Sequence, residues 1–251
     1  MNNIDIYTDF NFGGKSLSDF QGCIHTTRNL FATSVIPERD IHSETLTGIG
    51  EVYTGVTIKS RKWNLDIFFD ELTDIRGIAE WLSSPIEKEF FFIGDSVKIN
   101  CICENASELE MYADDKMRGE FTLTFVAFDP YYYNLNDKVL EFTTFSQEII
   151  FRNDGNRESF PVLEFELNGL QNVKFKLNDD NLFEVSEAQD KIVLNSIYHT
   201  CNDANGNRRR SIVGSPAQFF YNLTLNPGRN VFQLINGSVE KLTIHCNSRY
   251  I

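Results

Sequence analysis

Three consecutive guanidiniums, Arg208-Arg209-Arg210, form the densest basic run of the sequence. Arginine forks grip carboxylate or phosphate oxygens in pairs, so the run is a candidate site for a phosphate or an acidic partner, against the plainer reading of a solvated loop tip. Just upstream, Asp203-x-Asn205-x-Asn207 supplies oxygens at the first, third and fifth positions of a calcium loop. Arg208 then stands where that loop needs glycine, and Gly214 where it needs a bidentate glutamate, so a hairpin tip on Asn205-Gly206 accounts better for the same residues. Cys101-x-Cys103, His199-x-Cys201 and His245-Cys246 carry zinc-ligand side chains. Structural zinc prefers knuckles with about two to four residues between cysteines at tight turns, and a strand at 101–103 instead predicts buried thiols.

The residues of catalysis are present without their arrangements. There is no Gly-x-Ser-x-Gly elbow, no Ser/His/Asp order and no phosphate loop. Glu87/Glu89 and Asp114/Asp115 are carboxylate pairs only along the chain, and His25, His42, His199 and His245 sit in no motif. The expectation is a protein that is not an enzyme and takes no cofactor or metal. A carbohydrate-binding module is the stronger rival, since β-sandwiches hold sugars on aromatic platforms. Trp63 and Trp81, however, fall on apolar faces in the first half and read as core. The second half offers Tyr198 and Phe219-Phe220-Tyr221, which are expected to pack a sandwich.

Composition bounds the partners. Lys and Arg total 23 against 36 Asp and Glu, a net charge of −13, which argues against free nucleic acid or an anionic membrane surface. Twenty-two Phe and nine Tyr beside three Met favour pleated, half-buried surfaces over helical bundles. Five cysteines are an odd number scattered over a long chain, so reduced thiols are expected rather than a disulfide framework. Met1-Asn2-Asn3-Ile4-Asp5 lacks a basic start and an apolar run, which predicts synthesis in the cytosol.

The elements that must position these residues are mostly strands. Residues 62–71 place Trp63, Leu65, Ile67 and Phe69 at period two, a strand with one wet side. Leu72, Ile75, Ile78, Ala79 and Leu82 then recur at helical spacing, with Asp70 or Thr73 as N-cap and Ser83-Ser84-Pro85 as the stop, in the one convincing helix. Short strands follow at 90–93, 97–103 and 109–112. The strongest strand spans 120–128 and closes at Asp129-Pro130. A boundary is expected there, with Tyr131-Tyr132-Tyr133 and residues 134–137 as linker, separating domain 1–133 from domain 134–251. Charge divides too: the first part holds 11 basic and 22 acidic residues, the second 12 and 14. The second part reads as an antiparallel sandwich of strands at 147–151, 162–167, 173–177, 183–185, 191–194, 219–225, 231–234 and 242–246, parted by turns such as Asn168-Gly169 and Asn236-Gly237. Residues 34–56, with Thr47-Gly48-Ile49-Gly50, show little periodicity and predict a long loop or extended hairpin of the kind that grips a neighbour.

The layout resembles the distal tail protein (Dit) family of long-tailed bacteriophages of Gram-positive hosts, in particular its lactococcal-phage members. The likeness covers nearly the whole chain. It rests on Ile78-Ala79-Glu80-Trp81-Leu82, on Gly119-x-Phe121-x-Leu123-x-Phe125 running into Asp129-Pro130-Tyr131, on Asn153-x-Gly155 followed by Pro161, and on Pro227-Gly228-x-Asn230 before Val231-Phe232. The resemblance implies a mainly β protein, with an N-terminal β-barrel-like ring-forming domain carrying one helix and a C-terminal galectin-like antiparallel β-sandwich. It implies a structural virion component of the tail tip or baseplate, six copies in a ring. The partners it implies are the tail tube protein, the tail-associated hub protein and baseplate or receptor-binding proteins, with DNA passing through the ring unbound. The last strand of the sandwich is left free to return to the first domain. The tryptophan platform and the His-x-Asn-Pro-Arg pattern of sugar-binding galectins are absent, so sugar binding does not carry over. Acidic residues of the first domain would line the channel and let DNA slide; a solvated acidic outer surface explains the same excess.

Overall fold

The structure, a computed structural model, describes residues 9–20, 23–25, 37–69, 74–108, 110–111, 118–145, 148–178 and 181–251. It is mainly β, as expected, and its backbone divides into two compact units, Met1–Leu135 with Ile251, and Asn136–Tyr250.

The first unit contains β1 (Phe10–Phe12), β2 (Lys15–Ser16), β3 (Cys23–His25), β4 (Arg39–Leu46), β5 (Gly50–Ile58), β6 (Arg61–Phe69), α1 (Ile75–Leu82), β7 (Lys88–Phe92), β8 (Val97–Ala106), β9 (Glu110–Met111), β10 (Gly119–Ala127) and β11 (Tyr132–Asn134). Period two decides β6: Trp63, Leu65, Ile67 and Phe69 are buried while Lys62 and Asn64 face water. Its partner β10 runs antiparallel in unbroken register, Gly119 opposite Phe69 and Phe125 opposite Trp63. The strands follow the order β2-β1-β7-β8-β10-β6-β3. Gly119 is required there, because a Cβ would lie 2.1 Å from the Glu110 carbonyl oxygen. Helix α1 lays Ile78, Trp81 and Leu82 into the same core. The Trp81 indole stacks on Phe20 at 4.9 Å, and its N–H donates to the Phe12 carbonyl at 2.7 Å, which satisfies the one polar group this ring buries.

Two readings are corrected in this unit, and a third, the strand at 109–112, is found where it is described, at Glu110–Met111. The α1 cap is Asp74, whose carboxylate accepts from the Gly77 amide at 2.8 Å; Asp70 and Thr73 lie outside the described residues, as do Leu109 and Tyr112 of the 109–112 strand. Tyr132–Asn134, read as linker, is a strand paired to β8. Its Tyr132 ring lies under the Arg61 guanidinium at 4.9 Å, so aromatic contacts give this segment a packed place.

The second unit is a two-layer antiparallel sandwich. One sheet has the order β12-β20-β14-β17-β18 and the other β13-β19-β15-β16, built from β12 (Val139–Phe142), β13 (Ile149–Asn153), β14 (Val162–Leu167), β15 (Gln171–Leu177), β16 (Leu182–Ala188), β17 (Lys191–Asn195), β18 (Thr200–Asp203), β19 (Gly228–Asn236) and β20 (Val239–His245). The layers meet in phenylalanine: Phe165 lies 5.2 Å from Phe175 of the opposite sheet, and Phe175 stacks on Phe183 and Phe232 at 5.1 and 5.4 Å. The strand expected at 219–225 is instead a second helix, α2 (Pro216–Asn222). Ser215 accepts from the Gln218 amide as N-cap, and Pro216 at the first turn gives up no hydrogen bond while its φ already suits a helix. The helix buries Phe219 and Phe220, so an aromatic run that reads as β by type serves as the apolar face of one short helix.

The turn residues that carry the resemblance hold the sandwich at one end. Asn153 is fully buried. Its Nδ2 donates to Ser159 Oγ at 3.1 Å and to the Asn226 carbonyl at 3.3 Å, and its Oδ1 accepts from the Gly155 amide at 3.2 Å and from Ser248 Oγ at 2.7 Å. A Cβ on Gly155 would meet the Arg249 carbonyl oxygen at 2.6 Å. Asn230, also fully buried, accepts from Asn178 and the Asn226 amide and donates to the Asn226 and Gly228 carbonyls, all within 3.0 Å. Every polar atom of both amides is used, which is the condition for burying them.

Candidate functional site

The segment 37–58 is an arm rather than a loop. β4 and β5 pair over their whole length, Arg39 opposite Ile58 and Leu46 opposite Gly50, with a bulge at His42/Ser43. Among the described residues they pair with no third strand. The tip is Thr47-Gly48-Ile49, closed by a bond from the Ile49 amide to the Leu46 carbonyl at 3.0 Å. Gly48 and Gly50 have φ of +83° and +99°, values only glycine takes without strain. The register sorts the side chains. Arg39, Ile41, Ser43, Thr45, Glu51, Tyr53, Val56 and Ile58 share one face, while Asp40, His42, Glu44, Leu46, Val52 and Thr57 take the other. Ile41 is 75% exposed and Tyr53 64%. At the base, Lys59 Nζ bridges Glu38 and Asp40 at 3.1 and 2.9 Å, and those two carboxylates raise its pKa.

The same unit has a groove of about 530 Å³ between α1 and the ends of β8 and β10, whose apolar wall is Ile75, Ile78, Ala79, Leu82 and Phe121. An exposed apolar strand face and a separate apolar groove therefore coexist on one chain.

The arginine run follows β18 in the sandwich, and its three members have different surroundings. Asp203 organises the turn before them: its Oδ1 accepts from the Asn205 and Asn207 amides, both at 2.9 Å, and Arg209 Nη2 lies 2.8 Å from its Oδ2. Burial works to raise this carboxyl, but the bonds from Asn207 and Asn205 and the charge of Arg209 hold it below its ordinary value. The calcium-like oxygens are thus spent on a turn, with Gly206 at φ +79°. Arg208 donates to the His199 carbonyl at 3.3 Å. Arg210 has no hydrogen bond or ion pair among the described residues. All three line a cavity of about 570 Å³ with His199, Ile212, Pro216 and Phe220.

A second cavity of about 470 Å³ shares His199 with the first and is lined by Asn178, Asn181, Asn222, Asn226, Thr224, Glu158 and Tyr221 among others. Here the sequence misled. Phe219 and Phe220 do pack the sandwich, but Tyr198 and Tyr221 are each 75% exposed. The signal that could have placed Tyr221 is the helical period from Pro216, which sets it off the buried stripe of Phe219 and Phe220.

The other candidates are positioned for structure. Burial raises the thiol of Cys101 well beyond its ordinary value, and pushes Cys103 and Cys201 up to about 11 and Cys246 up to about 12. Glu89 is bridged to Lys98 at 2.5 Å, and Asp114-Asp115 lie outside the described residues. Among the described residues no cluster of three His, Cys, Asp or Glu side chains could hold a metal ion.

No family model matches the sequence, and no curated protein matches it. The fold does match solved structures. The crystal structure of the Dit protein of phage SPP1, described as a paradigm of the hub adsorption apparatus of phages infecting Gram-positive bacteria, aligns with a TM-score of 0.75 over 96% of this chain and 98% of that one, at 14% identity. Chains of the phage P2 baseplate in its activated conformation align with TM-scores of 0.56 (with Ca) and 0.53 (with Sr), at 9% and 10% identity, over 94% and 95% of this chain and 96% and 97% of those. Across both units, in chain order, this protein has the fold of a Dit protein.

Proposed function

We propose that the protein is a structural hub at the distal end of a bacteriophage tail. Six copies form a ring through their first units, joining the tail tube to the baseplate, the tail-associated hub protein and receptor-binding components, while the galectin-like sandwiches hold the baseplate side. The single observation that carries this reading is a fold shared end to end with a phage hub protein. The β4–β5 arm supplies the physical means. Its face of Ile41, Tyr53 and Val56 is exposed, and the groove beside α1 is a second apolar surface elsewhere on the chain. Two different complementary surfaces on one molecule make a head-to-tail contact, and such a contact gives a ring when its rotation closes. The first part of the chain also carries the acidic excess, 22 carboxylates against 11 basic groups, which suits a channel through which DNA slides unbound.

Mixing two variants that both carry Cys103→Ser, because Cys103 lines the same groove, with Tyr53→Cys on one chain and Ala79→Cys on the other, tests the contact. A bifunctional thiol reagent should link the two only when both are present, because an arm reaches a neighbour's groove. Linking no better than in either variant alone would sink the arm-in-groove contact.

A further inference from the structure

We propose that the end of the sandwich beside α2 binds a sugar phosphate or polyol phosphate, with the anion against Arg208, Arg209 and Arg210 and the hydroxyls against the neighbouring amide-lined cavity. The inference is independent of the ring.

Three observations converge. The cavities, about 570 and 470 Å³, each have the size of a small-ligand site. The first is cationic in a way the rest of the chain is not. Of its three guanidiniums only that of Arg209 faces a carboxylate, Asp203. Among the described residues, Arg208 gives one N–H to a carbonyl, Arg210 makes no hydrogen bond or ion pair, and no Asp or Glu lines this cavity. Forks of this kind take two oxygens of one phosphate at a time.

The second cavity has the opposite character. Asn181, Asn222, Thr224 and Asn226 line it together with Glu158, whose carboxylate accepts from the Thr224 hydroxyl at 2.6 Å; amides that both donate and accept, beside a carboxylate oxygen, are what neighbouring hydroxyls require. Tyr221 holds an exposed ring at its rim, the amphipathic surface on which a sugar face rests. The two cavities meet at His199, whose ring is stacked on Phe220 with centroids 5.5 Å apart and planes 7° from parallel. His199 therefore borders both a site for negative charge and a site for hydroxyls. A glycosyl phosphate presents the same two groups side by side. An acidic peptide would fill the first cavity and leave the second unused.

Titration of the full-length protein with glucose 1-phosphate at low salt tests this, with glucose, inorganic phosphate and a glutamate octapeptide as comparison probes. Glucose 1-phosphate should bind about tenfold more tightly than either fragment, a gain of about 1.4 kcal/mol. Arg210→Gln should weaken it about tenfold, and Tyr221→Ala should reduce it to the level of phosphate while leaving phosphate binding unchanged. Both side chains are exposed, so unchanged melting curves should accompany both losses. Equal binding of phosphate and glucose 1-phosphate, a preference for the peptide, indifference to Arg210→Gln, or no binding of any probe would each overturn the proposal.

Discussion

Two antiparallel hairpins of similar length, β4–β5 and β15–β16, carry apolar side chains, and among the described residues only the second has a sheet to lay them on. In β15 and β16, Val173, Phe175, Leu177, Phe183 and Val185 are buried against the opposite sheet. In β4 every residue is exposed, and in β5 nearly every one. A lone hairpin is at best marginally stable in water, and an exposed row of strand side chains invites pairing with another chain. The difference teaches that the arm's strand side chains find no covering sheet among the described residues, which is the opening the proposed ring contact uses.

Breaking the covered hairpin should have the largest effect. Phe175→Ala removes the ring at the centre of the phenylalanine stack and should cost about 4 kcal/mol, read as a fall in the urea midpoint. Asn153→Ala comes next, because it strips partners from buried Ser159 and Ser248 at the end of the same sandwich; about 2 kcal/mol is expected. A smaller effect is predicted for pH. An acid whose pKa burial has raised keeps its proton when folded after the unfolded chain has lost its own. Above about pH 9 the folded state then binds more protons, so stability falls as pH climbs toward the values of Cys201 and Cys246, about 11 and about 12. Urea midpoints at pH 8 and pH 10.5 should show a drop that is shallower in Cys246→Ala. Ile41→Asp with Tyr53→Asp should change stability least, within about 0.5 kcal/mol, while removing assembly. A large loss of stability in that double variant would mean that the arm is covered by its own chain after all.

The contrast also shows what the residues disclose. Strands with one covered face, such as β6 and β14, announce themselves by alternation, and the turns at Asn205-Gly206 and Pro227-Gly228 by their side-chain chemistry. The arm alternates only weakly, because Ile41, Tyr53, Val56 and Ile58 stand among Ser, Thr and Glu on one face while Leu46 and Val52 fall on the other, and its bulge shifts the period on one strand. Helix α2 was hidden because Phe219, Phe220 and Tyr221 favour strands by type, whereas Ser215 and Pro216 decide the local backbone. Arg208, Arg209 and Arg210 were legible as a cluster. That Asp203 would claim one of them, and that His199 and Tyr221 would extend the site, depends on pairings of β18 and α2 that no local pattern encodes.

The central claim, a ring built by the first unit, is tested most directly by the mass of the purified protein in light scattering across a concentration series. The account predicts a species near six times the 28.9 kDa of one chain; a chain that remains at its single mass over the whole series would contradict it.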